Sequence, residues 1–213
     1  MSVHNLNQKD SLIKYREQHK KRLSYMPWLY FRLKPKNLEW AQAWQQEYQD
    51  YLRSVESIQI GENCFISPDA QLFAEPNRDI IIGDGSFIAA DCVLHGPITL
   101  GKKVALNHHC TLDGGRMGIH IGNNTRLAAY CHLYAFNHGM KLDYTIHEQA
   151  VNSQGIFIGE DVWLGANVGV VDGVSIESFA VIGMDSTVTK NTEAYAIVAG
   201  NPARKIGDRR DKK

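Results

Sequence analysis

An all-β solenoid of about six triangular coils, with a helical N-terminal cap and one protruding loop, is the fold this 213-residue sequence predicts. Two observations carry that expectation. Ile158 to Thr187 divides into five consecutive blocks of six, each opening on an aliphatic residue and carrying a small or β-branched residue at the fifth place. The same frame runs upstream, and every opener is Ile, Leu or Val: Ile60, Ile66 and Leu72; Ile82, Ile88 and Leu94; Leu100, Leu106 and Leu112; Ile121, Leu127 and Leu133; Ile158, Leu164 and Val170; Ile176, Ile182 and Val188. A period of six is neither helical nor a plain strand alternation. It marks short repeats that bury their apolar edge only when the next coil stacks on them.

Each part of the chain has its place in that frame. Residues 1–57 lack the repeat and are expected to form a helical cap over the open first coil, because an exposed end strand invites aggregation. Asn37 is expected to cap a helix in which Trp40, Trp44, Tyr48 and Leu52 recur at intervals of four on one face. Lys14 to Lys36 holds eight Lys or Arg against the single acid Glu17, around the aromatic cluster Tyr25 to Leu33. The rival use of residues 14–36 is therefore a basic, aromatic patch for peripheral contact with a membrane surface. Residues 58–207 are expected to form the coil domain, and 208–213 a charged, frayed tail.

Three interruptions break the count: Glu75–Asp79, Gly114–Met117 and the excursion after Leu133. The opener Ile158 follows Leu133 by 25 residues, where six suffice. Loops that leave a regular scaffold are where chemistry usually sits.

The four cysteines, Cys64, Cys92, Cys110 and Cys131, all fall at the fifth place of their blocks, which predicts buried, reduced thiols with a packing role. Their spacing matches no common zinc motif, and no metal is expected. Formal net charge is zero, so bulk electrostatics favours no polyanion, and no nucleic-acid partner is expected. No apolar run reaches the ~18 residues a membrane span needs. The N-terminus shows no signal-peptide pattern, so a cytoplasmic protein is expected.

Asp161 to Val168, Val181 to Lys190 and Val198 to Arg204 resemble the C-terminal signature of the hexapeptide-repeat acyltransferases. The likeness is nearest to the branch of maltose and galactoside acetyltransferases and sugar O-acetyltransferases. It covers roughly residues 58–207. It implies a left-handed parallel β-helix, a hand that the spacing itself does not reveal and that opposes the usual crossover rule. It also implies a homotrimer with sites between subunits, acetyl-CoA as co-substrate, and direct attack of a sugar hydroxyl on the thioester.

By the same resemblance, His138 in the long loop is the general base, a task for which imidazole suits with its reference pKa of ~6.5. Asn107 contacts the acceptor or positions the acyl group. Trp163, Ala166 and Met184 fall along the coenzyme groove, with Met184 larger than the usual residue there. Thr189, Lys190 and Arg204 fall at the nucleotide end. Gly207 stands where a basic residue is common, so Arg209 or Arg210 is expected to substitute.

The N-terminal region is unlike the short domain of the maltose acetyltransferases, which favours an acceptor in surface polysaccharide synthesis. Other readings remain beside this one. An amino-sugar N-acetyltransferase would use the same base. A zinc hydratase resembling the gamma-class carbonic anhydrases would draw on His109, His132 and His138. A non-catalytic trimeric scaffold would use the coil alone.

Overall fold

The computed structural model describes residues 3–211; residues 1–2 and 212–213, where the expected cap begins and the expected tail ends, lie outside it. Helix α1, Val3–Tyr25, is followed by a 3-10 turn, Pro27–Arg32, and helix α2, Pro35–Val55. Six coils follow, at 58–73, 80–95, 98–113, 119–134, 156–171 and 175–188. Each coil gives one short strand to each of three parallel sheets. In the first sheet Ile60, Ile82, Leu100, Ile121, Ile158 and Ile176 pair in one row. Ile66, Ile88, Leu106, Leu127, Leu164 and Ile182 do so in the second. Leu72, Leu94, Leu112, Leu133, Val170 and Val188 do so in the third. These are the openers read from the sequence, and all but Ile60 are buried in one continuous core.

The block explains why the chain can turn every six residues. The fourth place of many blocks takes a left-handed backbone, as at Asn63, Asp91, Asn124, Asp161, Asn167 and Asp185, with φ between 50° and 61°. Asn, Asp and Gly accept that conformation most cheaply. The fifth place then points inward and serves the backbone of the following coil. Cys92 Sγ donates to Asn107 O at 3.1 Å, Cys110 Sγ to Ala128 O at 3.2 Å, and Cys131 Sγ to Gly165 O at 3.2 Å. Ser86 and Thr125 hydroxyls make the same bond, to Gly101 O and Gly159 O. All four cysteines are free and buried. Hydrogen bonding to Cys110, then burial, pushes the Cys131 thiol above its ordinary value, and burial does the same at Cys64. These thiols thus stay protonated and act as weak donors.

The cap covers both the end and one side of the coil. On the end, α2 presents two buried glutamines to the open edge of the second sheet. Gln45 Nε2 donates to Ile66 O at 3.0 Å, and Ile66 N donates to Gln45 Oε1 at 2.8 Å. Gln49 Nε2 donates to Cys64 O at 2.9 Å. On the side, Leu23, Tyr30 and Ala41 pack on Phe65, Phe87 and Ala105, the outward residues of the second sheet in coils one to three.

Two expectations are corrected here. Asn37 does not cap α2; the helix begins three residues earlier, with Lys34 at the N-cap and Pro35 inside the first turn. Proline lacks the N–H that needs a cap and presets the helical φ. The tail is not frayed through Asp211. Strand Ala196–Ala199 extends the second sheet, and Arg204–Asp208 returns antiparallel to it. Arg209 Nη1 donates to Asp161 O at 2.9 Å and lies 3.0 Å from the Asp161 carboxylate, which holds the end down.

Candidate active site

The excursion after coil four is a built arm. Its two strands, Asn137–His138 and Val151–Asn152, pair antiparallel with His138 opposite Val151. His138 is exposed, with its ring 6.1 Å from Phe136 and nearly perpendicular to it. The tip closes on Gln149. Its Oε1 accepts from Lys141 N at 2.8 Å, and its Nε2 donates to Lys141 O at 3.0 Å and Tyr144 O at 3.2 Å. A Thr145–Glu148 capping box orders the turn between them.

The base of the arm is clamped twice. Ser153 Oγ donates to Ala135 O at 2.6 Å and accepts from Arg116 N and Met117 N, which joins the second interruption to the third. Asp172, only 8% exposed, accepts from Gln154 N and Gly155 N, both at 2.9 Å. A buried carboxylate on two backbone donors is a charge-assisted clamp. Asp172→Ala is expected to cost about 1–3 kcal/mol, the desolvation penalty of the donors left unpaired. It is expected to lower turnover through the arm, read as a kcat loss beside a shift in Tm.

Asn107, Ala166 and Met184 stand at the corner between the second and third sheets, in coils three, five and six. Asn107 Nδ2 donates to Leu127 O at 2.8 Å, a fixed pose for its amide. Met184 is 65% exposed at that corner, and Trp163 is 54% exposed on the outer face of the second sheet. Lys190 and Arg204 line one cleft of about 270 Å³ with Lys205, and Thr189 is exposed immediately before Lys190. Lys205 pairs with Glu193 at 2.9 Å. Arg209 is engaged by Asp161, and Arg210 by Asp208 at 2.7 Å, so neither stands as a spare cation in place of Gly207.

His138 leaves the coil at a different corner from Asn107. Among the described residues, no hydrogen bond or ion pair joins the two. His109, His132 and His138 are likewise apart: His109 sits at the Asn107 corner and His132 lies half-buried in the third sheet. Among the described residues no group of three His, Cys, Asp or Glu is placed to hold a metal ion. No described helix is long and apolar enough to cross a membrane.

Beside Asn107 lies a cluster that the spacing did not announce. His108 Nδ1 and His109 Nδ1 are 3.0 Å apart, His109 stacks on Tyr130 at 4.7 Å, and Tyr25 from α1 donates to Asp91 Oδ2 at 2.7 Å. Burial, then His109, pushes His108 below the ordinary histidine value, with Asp91 opposing. A lowered folded value favours the neutral ring, so its stabilisation is present above the unfolded pKa and lost as pH falls through the folded one. Tm is expected to fall as the pH drops below the ordinary histidine value of ~6.5, and His108→Gln is expected to flatten that fall.

Comparison with known proteins agrees with this architecture. Residues 79–107 and 155–190 match the family model described as the hexapeptide repeat of succinyl-transferase. A chloramphenicol acetyltransferase of Agrobacterium fabrum is 48% identical over 169 residues, 70% of this chain and 78% of that protein. One of Klebsiella aerogenes is 36% identical over 115 residues, 50% of this chain and 52% of that protein. The chain thus spans about half the length of several curated relatives it matches. A serine-to-alanine mutant of AntD, an N-acyltransferase from Bacillus cereus in complex with dTDP-4-amino-4,6-dideoxyglucose and coenzyme A, has a TM-score of 0.67 at 26% identity, over 76% of this chain and 89% of that one. With a relative 48% identical across 78% of its own length, and six coils in unbroken register, this chain is a left-handed parallel β-helix that belongs to the hexapeptide-repeat acetyltransferase family.

Proposed function

We propose that the chain transfers an acetyl group from acetyl-CoA to a hydroxyl of a sugar in surface polysaccharide synthesis. It works in the cytoplasm, and its active sites lie between the copies of a homotrimer. The observation that carries this reading is the placement of His138: exposed, on an arm clamped by Asp172 and Ser153, and remote from the corner that holds Asn107. One copy's arm would then complete its neighbour's corner, as closed cyclic assemblies allow.

In the step, the acceptor oxygen attacks the thioester carbonyl while its proton passes to the His138 imidazole. The tetrahedral centre collapses, the C–S bond breaks, and the thiolate takes the proton back as free coenzyme A. Asn107 orients the acceptor or the acyl oxygen with its amide. The pantetheine arm runs past Ala166 and Met184 beside Trp163, and the phosphates meet Thr189, Lys190 and Arg204. Lys205 is paired with Glu193, which leaves Lys190 and Arg204 as the two cations of that cleft to meet a diphosphate. The coenzyme bound by AntD supports this co-substrate.

The shared site is tested by mixing. His138→Ala and Asn107→Ala variants are each expected to lose most of the activity, yet trimers refolded from equal amounts should carry about a quarter of their sites intact. Recovered thiol release supports the shared site, and none excludes it. The AntD complex with an amino sugar favours a second reading, transfer to an amine. The 48% identical relative places chloramphenicol among the acceptors to be screened. Thiol release from acetyl-CoA with sugars, amino sugars and chloramphenicol in parallel separates them; the proposal fails if only chloramphenicol supports turnover.

A further inference from the structure

A second cleft lies on the corner that holds Asn107, two coils toward the N-terminus. It measures about 560 Å³, within the range of small-ligand sites, and lies between α1 and the edge of coils one and two. Tyr25, Trp44 and Pro68 supply its apolar faces, and Glu17, Asp69 and Asp91 its carboxylates. Its walls are docked to each other: Ala90 N donates to Ser24 O at 2.7 Å, and the Tyr25 hydroxyl uses one oxygen of Asp91. The cleft is therefore preformed.

The mixture of groups selects the ligand. Lys20 is already paired with Glu17 at 2.9 Å and lies 5.6 Å from the Trp44 ring; with that pair set aside, the two carboxylates Asp69 and Asp91 outweigh the one other cation, Lys21, and an anionic ligand is disfavoured. Flat aromatic faces beside carboxylate acceptors suit a neutral, polyhydroxylated ring, whose C–H face packs on the aromatics while its hydroxyls donate to the acids. The edge is continuous with the acetyl-transfer site. Tyr25 lies 5.9 Å from His108, and His108 lies 5.5 Å from Tyr130. Asp69 and Asn107 are separated by two coil steps of ~4.8 Å each, a span on the scale of a disaccharide.

We propose that this cleft binds a further sugar unit of the acceptor, so that the enzyme acts on an oligosaccharide chain in preference to a free monosaccharide. The inference rests on the sugar-acceptor reading above and adds where the acceptor extends. Calorimetric titration of the 213-residue chain with malto-, cello- and chito-oligosaccharides of one to four units tests it, without acetyl-CoA. In at least one series the tetramer is expected to bind about tenfold tighter than the monomer. Asp69→Asn and Trp44→Phe are each expected to abolish that gain and leave monomer binding unchanged. Affinity independent of length in all three series, or a gain that survives both variants, overturns the proposal. Because binding is read without the co-substrate, it stands apart from the chemistry. Length-independent binding beside continued thiol release onto a monosaccharide removes the cleft and leaves the transferase.

Discussion

Replacing His138 with alanine is expected to lower acetyl transfer by about 10²–10⁴-fold, the usual worth of a positioned general base. The mass of the assembly in solution is expected to stay the same. The expectation follows from where the ring sits. His138 is exposed on a two-residue strand opposite Val151, and its backbone is held by pairing with that strand. Nothing in the core depends on it, so its loss removes a proton acceptor and leaves the arm in place. Binding of the two substrates beside each other survives and accounts for the residual rate. Steady-state release of coenzyme A thiol, with light scattering on the same sample, reads both outcomes. A variant within twofold of the wild-type rate, assembled normally, would show that this ring takes no proton in the reaction.

Gln45→Leu is expected to be the most damaging change in the cap. The Gln45 side chain satisfies both backbone groups of Ile66 on the open edge of the second sheet and also accepts from Gln49 at 3.2 Å. Leucine fills a similar volume and answers neither the N–H nor the C=O. Each buried group left unpaired costs about 1–3 kcal/mol, so a loss of roughly 2–5 kcal/mol is expected. An uncovered strand edge is also a template for pairing between chains, so concentration-dependent aggregation should accompany the lower Tm. Gln45→Glu keeps one acceptor and is expected to fall between. Denaturant midpoints for the three proteins decide the order, and a Gln45→Leu variant as stable as wild type rules out edge satisfaction as the role of this residue.

The parts of this molecule that a linear reading captured share a cause. The row Ile60 to Ile176 and its two companions repeat because each coil meets the same neighbour in the same way, so burial leaves a period in the chain. Cys92, Cys110 and Cys131 were readable for that reason, as fifth-place residues facing inward. Asp172 was not. It stands in a turn where Asp is common for local reasons, and its role exists only because residues 135–155 return to it. The engagement of Arg209 by Asp161 and of Arg210 by Asp208 was equally silent. Charges on a solvated surface leave no periodic trace. Asn37 misled because an Asn before an amphipathic stretch resembles a cap, while Pro35 had already started the helix.

The chain's own order of residues therefore determined the number of coils, their register, the inward row of thiols and the point where the arm departs, since all of these follow from contacts that recur at one short interval. Only the folded molecule decided that α2 closes an open edge through two glutamines and that Phe65 and Phe87 face the cap instead of solvent. It also decided that Asp172 clamps the arm and that His138 stands away from Asn107 within one chain. Those contacts join segments far apart in the chain and occur once each, so nothing repeats to announce them.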